Sequence, residues 1–445
     1  MKKLFVSAGL AAISAINLHA DTTYAPDVTA MDASRIWSLS GTLRGFFDDN
    51  YTTSHSDATG KRASWGFEAS PSFSLIVPLQ QTEIGLRYTY GLYYYQDREN
   101  INQNPIDQSH TADLWIDHAF SERWEAKVQD AFTVAQNPQV GATATIVPYR
   151  VNGNNIDNLG TVTVHTEWSM LFSTDVGYQN TWYDYSEHGA TTASIAANGP
   201  TYAGLLNQDS HSIWLNLNYQ FLPDLSFYVG YSFGFADYTG NEPIAQNMLG
   251  GFPVPGEFYY SNNRNQYSHN LYIGTQYAAT ENLSITAQVG FEYSDNYNLP
   301  GFDNQSATQF QPTANIAATY VYLPGDYVQL GFTQSESPSD VVQANGNGNI
   351  TLYQETSVLY ASVNHQITPN LLGSIIGHYQ FGEYQGGNFS GSAQSWYSLG
   401  LNLSYTINPH LSTEIGYNFD YADSGGGAAQ SYARNREYLG VTGTF

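Results

Sequence analysis

The 445-residue chain contains no cysteine, so no disulfide can staple an extracellular domain and no thiolate can hold zinc. Positive charge is almost as scarce. Fourteen Lys and Arg stand against 39 Asp and Glu, a formal net charge of −25, which disfavours binding to nucleic acid or to anionic surfaces. After residue 20, no stretch is apolar enough over enough residues to cross a membrane as a helix. The 11 His form no local motif with Ser or acids of the kind a hydrolase needs, so the chain is not expected to be an enzyme.

What is abundant is of another kind: 36 Tyr, 22 Phe and 40 Gly, at a mean hydropathy of −0.35. A wall that is oily on alternate residues only, with two aromatic girdles, has this composition, as does no membrane helix. A secreted β-sandwich or β-helix is the competing reading. Residues 1–20 have the form of a secretory signal, with Lys2 and Lys3, an apolar run to Ile16, and small Ala20 before Asp21. Residues 21–34 are polar and lack alternation, a periplasmic lead-in, and the barrel is expected over 35–445.

The organising stretch is residues 431–445. Leu439, Val441, Gly443 and Phe445 fall on one face, and Arg434, Arg436, Tyr438, Gly440 and Thr442 on the other. An open strand of this kind is an aggregation hazard unless it pairs with the first strand and closes a barrel. The first strand suits that role, with Trp37, Leu39, Leu43 and Phe47 on one parity and Ser38, Ser40, Thr42 and Arg44 on the other.

Between these strands the connections alternate in length. Eight are short, most with turn residues, as at Pro223-Asp224, Pro324-Gly325-Asp326 and Asn408-Pro409-His410; one is placed at Ser173-Thr174. Nine are long, the longest at residues 240–262. Together they predict an all-β chain, a transmembrane antiparallel up-and-down β-barrel of about 18 strands, with 16 to 20 as the range. A hairpin repeat agrees with this, recurring at PDLSFYVGYSFGFADY, ENLSITAQVGFEYSDNY, PNLLGSIIGHYQFGEY and PHLSTEIGYNFDYADS.

A terminal Phe445 on an alternating strand, behind a cleavable leader, resembles the assembly signal of Gram-negative outer-membrane β-barrels, and the chain as a whole resembles a β-barrel porin of that group. Glu437 and Gly443 depart from the signal, standing where it usually carries apolar residues. The resemblance implies an outer-membrane location, contact with lipid and lipopolysaccharide, recognition by the barrel assembly machinery, passage of small polar solutes, and a homotrimer as a candidate assembly. It also suggests residues 140–155 as a constriction loop, although Pro148, Tyr149 and Arg150 stand where an acidic motif would be; residues 240–262 are an equal candidate.

Parity assigns the lumen. Inward bases are Arg44, Arg87, Lys127, Arg434 and Arg436; inward acids are Glu68, Asp113, Asp117, Glu125, Glu167, Glu292, Glu414 and Asp420. They read either as a transverse field across a wet pore or as ion-paired wall. His165 with Glu167 is an inward pair too, and wall is the plainer reading for it. Inward aromatics are Phe46, Tyr93, Trp115, Trp214, Tyr228, Tyr272 and Tyr327, similar to the stacking track of sugar-specific porins or, more plainly, rim and plug packing. No cofactor is expected. Acid-rich outer strand ends at Asp48, Asp49, Asp184, Asp237, Asp295 and Asp303 are candidate Ca²⁺ or Mg²⁺ sites, with solvated faces as the alternative.

The expected function is a passive diffusion channel for small hydrophilic solutes, ions and candidate sugars, mildly cation-selective. The alternative is a surface adhesin or structural barrel with a loop-plugged lumen. If Phe445 is the assembly signal, deleting it should block barrel assembly and leave export intact, because the leader directs export. A normal yield of heat-modifiable, protease-resistant barrel from the truncated chain would refute that role.

Overall fold

The computed structural model describes residues 36–55, 60–136, 155–195, 199–303, 305–425 and 431–445. The leader, the lead-in and nearly all of the 140–155 candidate loop lie outside these residues. In chain order the first strands are β1 (Trp37–Asp48), β2 (Ser64–Pro78), β3 (Thr82–Tyr95), β4 (Ile106–Ala119), β5 (Trp124–Ala135), β6 (Asn155–Glu167) and β7 (Phe172–Tyr185). They continue as β8 (Gln208–Leu222), β9 (Leu225–Tyr238), β10 (Pro243–Leu249), β11 (Phe252–Tyr260), β12 (Gln266–Thr280) and β13 (Leu283–Asp295). The remainder are β14 (Thr308–Leu323), β15 (Asp326–Pro338), β16 (Thr351–Thr368), β17 (Leu371–Gly386), β18 (Ala393–Asn408), β19 (Leu411–Ser424) and β20 (Tyr432–Thr444).

Eighteen of these form one antiparallel sheet in which each strand pairs with its neighbours in sequence, and β10 with β11 forms a separate hairpin inside the longest loop. Closure comes from β1, which pairs with β2 on one side and with β20 on the other. The seam runs from Ser40↔Thr444 to Asp48↔Arg436, and the Phe445 amide donates to the Leu39 carbonyl at 2.8 Å. No lipid can satisfy an unpaired strand edge, so this seam removes both edges that an up-and-down sheet leaves open, those of β1 and β20.

The strands form where side chains alternate in polarity. On β1, Leu39 and Leu43 are exposed while Thr42 and Arg44 are buried on the opposite face. On β9, Phe227, Val229 and Tyr231 are exposed and Tyr228 between them is buried. Around the barrel this puts Leu, Ile, Val and aromatic side chains outward, an apolar band suited only to lipid, and polar side chains inward.

Seven of the eight short turns fall where the turn residues predicted. The exception is the turn assigned to Ser173-Thr174. Residues 168–171 make that turn, with the Ser169 hydroxyl accepting from the amides of Leu171 and Phe172 at 3.2 and 3.1 Å, and Ser173 and Thr174 belong to β7. Trp168, Met170 and Leu171 disguise the turn as strand, since at the membrane boundary a turn is itself apolar and exposed.

The register makes a sharp prediction on β8, where Leu215 is exposed and the neighbouring Asn216 accepts a hydrogen bond from the Tyr272 hydroxyl at 2.7 Å. Leu215→Arg should destabilise the folded barrel by about 2–4 kcal/mol at the bilayer midplane. Asn216→Asp, on the lumen face, should cost well under half of that, as read from denaturant titration in lipid vesicles. Equal losses at the two positions would contradict the register.

Candidate functional site

Two features of the inner face organise the lumen: a charged seam and a cap over the outer mouth. At the seam, inward positions of β1, β2, β19 and β20 alternate in sign. Arg44 donates to Glu414 at 2.5 Å and to Glu68 at 3.3 Å, all three side chains being buried. One turn of the wall higher, Asp48 is completely buried and accepts from both Arg434 and Arg436, at 2.7 and 3.0 Å. Asn402 bridges the Glu414 carboxylate and the Tyr438 hydroxyl, and Thr42 meets Thr442 at 2.8 Å. Asp420, opposite Arg434 in register, is also buried.

The other predicted charges are more open. Lys127 lies 3.3 Å from Glu125 and 3.9 Å from Asp117, and Arg87 stands opposite Asp113 in register. His165 makes its 2.6 Å contact with Asp175 on β7 rather than with Glu167 on its own strand, and Asp175 also accepts from Asn218. Glu167 lies at the end of β6 opposite Ser173, away from that contact. Glu292 is on the far wall, on β13.

Five of the seven predicted aromatics share one mode of packing. Phe46, Trp115, Trp214, Tyr228 and Tyr272 each stand directly opposite a glycine of the neighbouring strand: Gly66, Gly85, Gly177, Gly274 and Gly230. A Cβ on those glycines would come within 1.8 to 2.3 Å of ring carbons, so the rings lie down over the bare backbone instead of projecting into the lumen. Phe46, Tyr93, Tyr228 and Tyr272 are buried by their neighbours, while Trp115, Trp214 and Tyr327 remain partly exposed.

The cap includes the 240–262 loop, one of the two candidates for folding over the pore, but its central residue was not among the predicted site residues. Its centre is Arg264, 1% exposed, in the short 3₁₀ turn Ser261–Arg264 before β12. Its guanidinium donates to the carbonyls of Leu205 at 3.0 Å, Ser339 at 3.0 Å and Leu352 at 3.3 Å and to the Tyr238 hydroxyl at 3.3 Å, and it stacks on the Tyr238 ring. Leu205 precedes β8 and Leu352 opens β16. These barrel strands are six apart, roughly 30 Å along the wall at 4.7–4.9 Å per strand. One side chain reaches both only because the intervening loops converge over the mouth.

Apolar side chains fill the space beneath: Leu205 and Leu206 from the helix α1 (Tyr202–Leu206), Ile244 and Tyr259 from the β10–β11 hairpin, Val342 and Ile350 from the β15–β16 loop. The Tyr259 hydroxyl donates to the Gly348 carbonyl, joining the last two. Burial works against charge on Glu242, but hydrogen bonds from Thr201, Gly189 and Ala190 outweigh it and hold the carboxyl below its usual range. Burial pushes the Asp340 carboxyl up, although Tyr384 donates to it at 3.0 Å.

The upper end of β15 takes part as well. Its pairing with β14 stops at Ala314↔Gln334, while its pairing with β16 continues to Pro338↔Tyr353. Pro312, just above the last pair, has no N–H to extend the ladder. Released from β14, the strand leans over the inner wall, and Glu336 accepts from Gln311 at 2.7 Å and from Ser294 at 3.0 Å. Among the described residues, no group of three or more His, Asp or Glu stands close enough to share a metal ion.

Parity identified the seam charges because they lie on strands, but Arg264 lies in a loop where parity has no meaning. Its one sequence signal is scarcity, as one of only 14 bases. Replacing Arg264 by Ala would leave three buried carbonyls and a hydroxyl short of a partner, about 1–3 kcal/mol for each acceptor that water cannot reach. The expected result is rapid protease nicking within residues 199–207 and 339–350 while the strands stay protected. Unchanged nicking would mean that the cap holds without the guanidinium.

No family model matches the chain, and no curated protein matches it. Among solved structures it is similar to Acinetobacter baumannii OccAB4 at 12% identity, covering 92% of this chain and 99% of that one, with a TM-score of 0.43. It is similar to Pseudomonas aeruginosa OccK1 (OpdK) at 10% identity, with coverage of 92% and 99% and a TM-score of 0.42. A mutant of the ferric enterobactin receptor PfeA of Pseudomonas aeruginosa is similar at 11% identity, with coverage of 92% and 80% and a TM-score of 0.42.

Proposed function

We propose that this chain is an outer-membrane porin, a passive, non-enzymatic diffusion channel for small hydrophilic solutes. The observation that carries this reading is the closed wall of 18 strands, apolar outside and polar inside. Barrels of 16 to 18 strands are too wide for wall side chains to fill and leave an aqueous channel. Lipid and lipopolysaccharide are then the outer-face partners, and the barrel assembly machinery is the folding partner. A homotrimer is a candidate assembly on the resemblance alone.

The lumen charges support mild cation selectivity. Arg44, Arg434, Arg436 and Lys127 all face carboxylates at short range, so the bases are largely neutralised where they stand. Acids outnumber them on the inner face, and fixed negative charge in a narrow aqueous passage concentrates cations. Sugars could stack on Trp115, Trp214 and Tyr327, the three predicted rings that keep an exposed surface. The packed cap favours a second reading, a surface or structural barrel whose loops plug the lumen.

Planar-bilayer recording separates the two. The porin reading expects steady ion conductance and, under a KCl gradient near 0.01 M, a zero-current potential of cation-selective sign. At that salt the Debye length is about 30 Å; toward 1 M it falls to about 3 Å and the selectivity should fade. An anion-selective sign would reject the charge argument, and absent conductance would favour the plugged barrel.

A further inference from the structure

At the short-turn rim of the barrel, opposite the cap, turns are tied to a strand beyond their own hairpin. The Ala278 amide donates to the Asp224 carbonyl and the Thr406 amide to the Asn370 carbonyl, both at 2.8 Å. β20 joins this rim in the same way, its Thr444 amide donating to the His410 carbonyl in the β18–β19 turn at 3.0 Å. Here the side chain of the turn adds to the rung. His410 Nδ1 meets the Thr444 carbonyl at 2.9 Å, and the imidazole stacks on the Phe445 ring, with the ring planes 13° apart and the centroids 6.2 Å apart. The turn fixes His410 through its backbone, whose amide donates to the Asn408 side chain at 2.8 Å. On the other side of β20, the Phe445 amide donates to the Leu39 carbonyl at 2.8 Å and the Leu39 amide to the Phe445 carbonyl at 3.1 Å.

Strand ends fray unless they are tied down, and fraying here would release the Leu39 amide and carbonyl on the edge that closure has to satisfy. A carbonyl only accepts, so Nδ1 carries the proton in its contact with Thr444. The hydrogen bond and the ring stack together hold the last two residues from the side away from β1. We propose that His410 is a latch on β20, whose side chain, in addition to the strand ladder, keeps the seam shut at this rim. It acts through Thr444 and Phe445 and is therefore a positioning residue. The latch stands apart from the channel reading, since it holds whether or not the barrel conducts.

Full-length barrel, refolded in detergent and checked by heat-modifiable migration, is followed by hydrogen–deuterium exchange in peptides covering residues 37–43 and 439–445. His410→Ala should speed exchange there by about tenfold, the size of one lost hydrogen bond and one lost ring contact, and leave peptides covering the Ala278 and Thr406 rungs unchanged. His410→Asn keeps an N–H donor and His410→Phe keeps a ring, so each should recover part of the protection. Phe445→Ala should add less to His410→Ala than it does to the wild type, because the two side chains share one contact. Unchanged exchange in His410→Ala, an equal increase at all three rungs, no recovery by either partial variant, or full additivity with Phe445→Ala would overturn the latch. Should His410→Ala not fold, the two partial variants are read against the wild type: faster exchange at the seam alone supports the latch, and unchanged exchange in both overturns it.

Discussion

A strand edge in lipid has no water to hydrogen-bond with, and the pairing of β1 with β20 answers that constraint. Everything else in the molecule depends on it: an up-and-down sheet that failed to meet itself would expose the donors and acceptors of both its end strands. The seam is therefore also where the lumen is most heavily built. Asp48 between Arg434 and Arg436, and Arg44 between Glu68 and Glu414, fix the register of strands nearly 400 residues apart in sequence. Removing one member would strand a buried charge, so these pairs act more as register pins than as sources of net stability.

The same wall limits what the lumen can present to a solute. Rings laid over cross-strand glycines stiffen the strands where glycine alone would weaken them, and they keep the wall thin. This packing gives the glycine-rich, tyrosine-rich composition a mechanical reason. It also divides the inward aromatics into those absorbed by the wall, such as Phe46 and Tyr272, and those that keep a free surface, such as Trp214.

Access is decided at the outer end. The cap draws on three loops and the upper end of β15, and its polar centre is one guanidinium shared among carbonyl groups. Arg suits this role because its planar fork presents several donors at fixed angles and stays charged even when buried. The bases of the seam are paired with carboxylates, whereas Arg264 is bound to neutral oxygens.

Strand existence, face assignment and the alternation of long and short connections were legible in the sequence, because a wall with lipid on one side and water on the other forces a two-residue period. The count of 18 and nearly all of the turns followed from that period and from Pro, Asn and Asp at the reversals. The turn at 168–171 escaped because apolar residues are as well suited to a membrane boundary as to a strand. Which charges meet was settled only by the tertiary structure. His165 could be placed inward by parity, but its partner is Asp175 on the next strand, and cross-strand register is not a property of either strand alone. The length of the 240–262 loop marked it as a candidate to fold over the pore, but the centre of the cap was not legible: loops have no period, and the convergence of Leu205, Ser339 and Leu352 on Arg264 depends on where a closed barrel holds the ends of strands remote in sequence.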